Sequence, residues 1–319
     1  MADVYAMSFG VPGYSGLLFN KGVTETPLSS AIGGKAAMTN HVEFVTGQEY
    51  TTGTASQPAI SEAASLSAPD ATVVTRLQKT NVTQIFHESV AISYAKMSNV
   101  GTLSGINIAN QVANPASELD FQVAAKMQKI ANDIEYTFIN GVYNKATSDA
   151  TINKTRGLVT AITSNVEAAA GAPLTLALVE QLMLDVYGSN APTNDLVLWV
   201  DALSAMQLNR DAKTNGATIV PASREVNGIA IDTLITPLGA VGVRIGRYLP
   251  AGTALLLNLN VIRPVFQPVP EKGNFFLEEL ARTGAGQKYQ IFGQVGLDHG
   301  PEWYHGKITG LDTDMDTTN

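Results

Sequence analysis

The stretch that most constrains the fold is residues 114–145, NPASELDFQVAAKMQKIANDIEYTFINGVYNK. Val123, Met127, Ile130, Ile134, Phe138 and Val142 recur at steps of three and four. That is the period of one apolar stripe on an α-helix. Asn114 is placed to cap the helix with Pro115 at the first helical position, and Ser117 is the alternative cap. Glu118 and Asp120 fall where the helix dipole favours negative charge. A helix over 115–143 is roughly 43 Å long, about twice the average. A rod of this length is a scaffold beam more often than part of an active site. Asp133 and Glu135 lie two apart on it and face different ways, which reads as solvated surface rather than an acid–base pair.

Upstream of the rod the periodicity changes to two. HVEFVT (41–46) alternates, with Val42, Phe44 and Thr46 on one side. TRLQKTNVTQIFHESVAISY (75–94) alternates over a longer run. One face carries Val82, Gln84, Phe86, Glu88, Val90, Ile92 and Tyr94; the other carries Ile85, His87, Ser89, Ala91 and Ser93. Residues 47–72 between them are small and polar, as expected of a long hairpin with a wide, mobile tip. The run His87-Glu88-Ser89 contains three residue types that carry hydrolytic chemistry. In a strand, however, His87 and Glu88 point to opposite faces, and His87 and Ser89 have Cβ atoms about 7 Å apart. The run therefore reads as a strand rather than a catalytic site. Residues 1–35 are rich in turn residues. Tyr14, Leu17, Leu18 and Phe19 favour an extended arm lying on neighbouring surfaces over a solvated tail.

Downstream of Gly157 the chain becomes α/β. TLALVEQLMLDVYG (175–188) is an amphipathic helix with Thr175 as cap and Gly188 as stop. DLVLWVD (195–201) is a near-continuous apolar strand, as expected when both faces are covered, and Asp201 caps a following helix. GIAIDTLITP, AVGVRIG, TALLLNL and VIRPVFQPV read as strands. The final stretch from Phe275 reads as a short helix followed by two strands, with a disordered acidic tail at the end.

Composition narrows the function classes. Hydrophobic residues make up 45% of the 319, enough for a sizeable core, yet charged residues are only 15%. A lone globule shows more charge, so part of the surface is expected to be covered by partners. A net charge of −8 with no Lys/Arg cluster argues against sequence-reading of nucleic acid. There is no cysteine, which removes disulfides, thiolate metal sites and Cys nucleophiles. The N-terminus lacks a basic n-region, and the longest apolar stretch, ALLLNLNVI, is too short and polar to span a bilayer. These features predict a protein made in the cytoplasm and not bound to membrane.

Motif matches fail on inspection. SSAIGGKAA (29–37) lacks the first glycine of a phosphate loop and has Ala36 where Ser or Thr would hold magnesium. TGAGQK (283–288) is a turn. DTDMDTT lacks the glycine and distal glutamate of a calcium loop. His299 and His305 flank Trp303, but six residues of strand would hold them roughly 20 Å apart. A turn at Gly300-Pro301 brings them closer, though with no converging carboxylates for a metal. No cofactor is expected.

The order of elements resembles the major capsid protein of tailed bacteriophages with the Hong Kong 97 fold. TETPLSSAIGG looks like the arm entering the extended E-loop, NVTQIFHESVAIS like the strand returning from it, and MQKIANDIEYTFINGVYN like the spine helix. TRGL (155–158), GRYLPAGTALLLN and the C-terminal strands complete the resemblance. It implies an α+β fold with an arm (1–37), an E-loop hairpin (38–98), a peripheral domain with the spine helix (99–172), an α/β axial domain (173–248), and returning peripheral strands with a tail (249–319). It also implies a structural protein rather than an enzyme, assembling in host cytoplasm as hexamers and pentamers of an icosahedral virion shell around double-stranded DNA. The inner wall's negative charge would let DNA slide rather than stick. A separate scaffolding protein is implied because the chain begins directly with the arm, together with a portal and a possible decoration protein. The interface residues expected on this reading are Tyr50, Arg76, Glu118, Phe276 and Glu279. Some relatives weld subunits by a lysine–asparagine isopeptide bond from the E-loop, but no lysine lies between Lys35 and Lys79 here. The competing readings are an encapsulin-type nanocompartment and a soluble α/β hydrolase using His87 or His299, the latter without a nucleophile elbow.

Overall fold

The computed structural model describes residues 22, 25–53, 55–68, 70–94, 118–214, 219–226, 229–282 and 284–314. Tyr14, Leu17, Leu18 and Phe19 of the arm, the proposed caps Asn114, Pro115 and Ser117, and the last five residues of the tail lie outside them. In chain order the elements are α1 (Pro27–Ile32), β1 (Ala37–Met38), β2 (Glu43–Tyr50), α2 (Glu62–Ser65), β3 (Arg76–Val82), β4 (Gln84–Ser93), α3 (Glu118–Asn140), α4 (Leu158–Ala161), β5 (Val166–Ala168) and α5 (Leu176–Gly188). They continue with β6 (Leu196–Val200), α6 (Ala202–Thr214), β7 (Ile219–Val226), β8 (Ile229–Thr236), β9 (Gly239–Ile245), β10 (Thr253–Asn258), β11 (Arg263–Phe266), β12 (Phe275–Leu280), β13 (Gly286–Asp298) and β14 (Gly306–Thr309).

Three sheets organise these elements. The largest runs β5-β14-β10-β6-β9-β8-β7, so strands from both sides of residues 173–248 join those within them. Its centre explains the unbroken apolar runs. On β6 and β10, Val197, Trp199, Leu255 and Leu257 face one core, while Leu196, Leu198, Val200, Ala254 and Leu256 face the other. The second core is closed by Val179, Leu182, Met183 and Val186 of α5 and Leu208 of α6. Both helices start as their sequences dictate. The Thr175 hydroxyl accepts the Leu178 N–H, and Asp201 Oδ1 accepts the Ser204 N–H at 2.8 Å.

A second sheet is built around the long β13, which pairs with β4 along one edge and with β12 and then β11 along the other; β1 extends it beyond β11. The beam α3 packs on its inner face. Ile130, Phe138 and Ile139 meet Phe86, Ile291 and Val295, and this core continues into the first face of the large sheet. The third sheet is the hairpin β2–β3 alone.

Four expectations need correction. The run 75–94 is two strands, because Thr83 gives its N–H to Val42 and its hydroxyl to Gln267, breaking the run between two sheets. The described beam ends at Asn140, before Val142, since Gly141 turns there against Gly157; Met127 is also exposed rather than in the core. Residues 275–280 form no helix. Paired residue for residue with β13, from Phe275 opposite Gly293 to Leu280 opposite Lys288, they are a strand, with long-range pairing overriding local preference. Finally, Glu135 is fully buried, unlike Asp133, which pairs with Lys129 on the exposed side.

The end of the beam is set by a backbone crossing. Gly157 donates its N–H to the Gly141 carbonyl at 2.9 Å, and a Cβ at Gly141 would sit 2.4 Å from the Thr155 carbonyl oxygen. Only glycine fits there.

Candidate functional site: the outward hairpin and its root

Strands β2 and β3 pair from Glu43 opposite Val82 to Tyr50 opposite Arg76, with a register shift between Val45 and Gly47. At the root, Phe44 is buried over Gly296, where any Cβ would meet its ring at 2.6 Å. Asn81 is fully buried and serves as a splice. Its Nδ2 donates to the Leu297 carbonyl at 2.7 Å and to Arg156 O at 3.2 Å, and its Oδ1 accepts the Arg156 N–H at 2.8 Å. Farther out, the Lys79 ammonium stands 3.0 Å from Glu49 and 3.8 Å from Glu302. Beyond that latch every described residue from Tyr50 to Gln78 is exposed. These include Ile60 at 69%, Leu66 at 87% and Val73 at 89% exposure. Leaving such side chains in water forgoes about 1.5–3 kcal/mol each relative to burial. Together with Tyr50 and Leu77 they leave the whole outer hairpin without burial by its own chain.

The residues singled out from sequence fall in three places. Tyr50 and Arg76 are cross-strand partners at the outer end of the paired hairpin. Glu118 opens the described part of the beam. Phe276 and Glu279 lie on β12. Phe276 stacks at 5.8 Å on Phe292 with the Lys272 ammonium 5.1 Å over its ring, and Glu279 pairs with Arg282 at 3.3 Å. The structure pairs Tyr50 with Arg76 and carries Phe276 and Glu279 on one strand, so the five positions fall on three different parts of the fold.

The three histidines weighed for chemistry, His87, His299 and His305, stand in structural surroundings. His87 is on the exposed face of β4, its Nε2 3.3 Å from Gln290 Oε1 and its ring edge-on to Phe292. Glu88 is on the other face, bound by Lys126 and Lys129. Burial pushes the Glu88 carboxyl up, but the two ammonium groups outweigh it and leave it below the usual range. His299 and His305 are both buried, brought together by the turn at Gly300 and a 3-10 turn at Glu302–Tyr304. His305 donates from Nε2 to the His299 carbonyl at 2.8 Å and accepts the Asn258 N–H at Nδ1. His299 Nδ1 donates to the Gly300 carbonyl. Burial lowers both rings to about 4, so both are neutral supports of the fold.

Two carboxylates perform structural tasks that the sequence did not disclose. Glu135 Oε1 accepts the Leu28 N–H at 2.8 Å, and Oε2 accepts the Ser29 N–H and hydroxyl at 2.7 and 2.6 Å. The beam thus caps α1, whose own Thr26 supplies no side-chain cap. Burial pushes the Glu135 carboxyl up, against the pull of those bonds. Glu302 holds the amides of Thr163 and Ser164 and the Ser164 hydroxyl. There burial is outweighed by the bonds from Ser164 and Thr163 and by Lys79, and the carboxyl lies below its ordinary value. The sequence held no signal for the Glu135 cap, since Thr26, a capping residue type, stands directly before Pro27 and only the structure shows that its side chain makes no cap bond.

Among the described residues no three His, Asp or Glu side chains gather as a metal-binding group, and no helix is long and apolar enough to cross a membrane. Solved structures share this arrangement at low identity. The capsid of cyanophage A-1(L) is 11% identical with a TM-score of 0.63, covering 95% of this chain and 97% of that one. The encapsulin of Synechococcus elongatus is 11% identical with a TM-score of 0.61, covering 89% and 87%. A native GTA particle capsid is 13% identical with a TM-score of 0.57, covering 97% of each. The likeness establishes the Hong Kong 97-type fold. No curated protein matches the sequence itself. The family model described as SU10 major capsid protein matches residues 3–312. An exposed hairpin, a beam and a doubly buried sheet therefore have a common reason: the chain belongs to the SU10 major capsid protein family and is a structural protein of the virion shell.

Proposed function

We propose that this capsid protein forms hexamers and pentamers that close into an icosahedral shell around double-stranded DNA, in the host cytoplasm and with a separate scaffolding protein. A portal and a decoration protein complete the particle on this reading, and the chain itself performs no covalent chemistry. The observation that carries the proposal is the hairpin: from Tyr50 to Gln78 no described residue is buried by its own chain. Tyr50, Arg76, Glu118, Phe276 and Glu279 are contact positions in this reading, with residues 173–248 around the capsomer axes and the arm and beam between neighbours. The chain's charge of −8 suits an inner wall that does not bind DNA bases. Light scattering and negative-stain microscopy of the expressed chain, alone and with its scaffold, test the proposal. Shells, tubes or capsomer rings support it, and a compact monomer under every condition overturns it.

A second reading, a nanocompartment, is favoured by the likeness to the encapsulin. Particles purified from their native source separate the two. Packaged genome supports the virion, and packaged protein cargo without genome supports the compartment.

A further inference from the structure

The root of the outward hairpin rests on one short segment, residues 296–302. Phe44 covers Gly296, and Asn81 bonds to the Leu297 carbonyl. Lys79 reaches toward Glu302 at 3.8 Å. The bulge at Gly47 lies against the turn between them, where a Cβ would stand 3.7 Å from the backbone of Gly300 and of Pro301. His299 sits at the centre of this segment and is 1% exposed. Its Nδ1 is engaged by the Gly300 carbonyl, but its Nε2 has no hydrogen-bond partner among the described residues. The Thr46 hydroxyl, at the bulge, is buried without a partner as well.

Such a ring is stable there only while neutral. A proton on Nε2 makes a buried, charged donor with no acceptor, which costs more than a neutral group left unpaired. The surrounding charges do not offset this. His305, Arg156 and Lys79 all act against a charge on the ring. The nearby carboxylates are engaged elsewhere: Asp298 by Arg263 and the Gly300 N–H, Glu302 by Thr163 and Ser164, and Glu49 by Lys79. Burial first, and then these cations, hold the ring at about 4, against 6.5 for a free imidazole. His305 is the inner ring. Both its nitrogens are engaged, by the His299 carbonyl and the Asn258 N–H, so it is tied to the end of β10 and opens with the core.

We propose that His299 is an acid-sensitive latch: its protonation releases the turn at residues 298–301 and, with it, the root of the hairpin, while both hydrophobic cores stay closed. The sign follows from the depressed folded value. The latch is fully closed above the free value of 6.5 and weakens as pH falls toward about 4, because the opened turn binds a proton that the closed turn refuses. The inference concerns a single chain and does not rest on the shell reading.

Amide hydrogen exchange of the unassembled full chain tests this. The reporter is the Arg156 N–H, bonded to Asn81 Oδ1 across the root, and the control is the set of β10 amides in the strand paired with β6. After correction for the intrinsic pH dependence of exchange, protection at Arg156 should fall roughly twentyfold between pH 7 and pH 5. The β10 amides should stay better protected than Arg156 throughout. In His299→Asn, which keeps a donor for the Gly300 carbonyl and does not titrate, the fall at Arg156 should shrink to less than about twofold. Protection at Arg156 that does not change with pH overturns the proposal. So does loss of protection at Arg156 and β10 together, which would make the acid effect global. An undiminished fall in His299→Asn also overturns it, by assigning the effect to another group. If that variant fails to fold, the comparison of Arg156 with β10 in the unmodified chain decides alone.

Discussion

β10 and β2 are both short strands with large apolar residues, and their fates differ completely. All six residues of β10 are buried, Leu255 and Leu257 against the beam side and Leu256 against α5. Along β2 only Phe44 and Thr46 are buried, and past Tyr50 burial ends. The large sheet is finished by its own chain, whereas the hairpin past Tyr50 is not buried by it; on the proposed reading another chain finishes it. Stability of the subunit and competence of the shell therefore reside in different regions, and substitutions should separate them.

The largest effect is expected at the backbone crossing. Gly141→Ala places a Cβ 2.4 Å from the Thr155 carbonyl and 2.5 Å from that of Thr137, with backbone on both sides. Destabilisation above about 4 kcal/mol and loss of soluble protein should follow; a normal melting curve would refute the crossing. Next is the sheet: Leu256→Ala should lose about 2–5 kcal/mol in urea unfolding of the unassembled chain. The tip is the counterpart. Leu66→Ser should change that stability by less than about 0.5 kcal/mol while reducing shell yield. Equal effects of the two substitutions on the isolated subunit would dissolve the contrast.

Acid offers a third probe. His299 and His305 titrate near 4 when folded and near 6.5 when free, so the unfolded chain binds more protons between those values. Their stabilisation is complete above the free value and is lost as pH falls toward the folded one, at about 1.4 kcal/mol per pH unit for each ring. His299→Asn should remove about half of that slope, and an unchanged slope would mean the ring is not held neutral. A smaller loss, about 0.5–2 kcal/mol, is expected for Glu135→Ala, with increased proteolysis at α1 as its signature. The smallest effect is a negative one. Because no lysine lies between Lys35 and Lys79, purified shells should run as monomers on denaturing gels, and a covalent ladder traced to the hairpin would contradict this.

Much of this architecture was legible because its causes are local. The faces of β4 follow the alternation of its letters, with Phe86, Val90 and Ile92 inside and Ile85, His87 and Ser89 outside. The starts of α5 and α6 follow from Thr175 and Asp201. What was illegible has distant causes. Glu135 is satisfied by Leu28 and Ser29, more than a hundred residues away in sequence. Glu302 is satisfied by Thr163 and Ser164. Likewise β12 is a strand only because β13 lies beside it. A carboxylate on a helix looks solvated until the partner that buries it is known. The proposed contact positions are the extreme case, since on the shell reading the groups that would complete them belong to another molecule.

The contact of Gly141 with Gly157 fixes more than the end of a helix. With no side chain between the two backbones, the beam is referenced from its C-terminal end, as a ruler is read from its zero mark. A residue inserted into α3 cannot displace that crossing, so the whole added length and its rotation, about 1.5 Å and 100° per residue, must appear at the Glu118 end. Changes in the dimensions of related subunits should therefore accumulate at that end, while the crossing keeps its place.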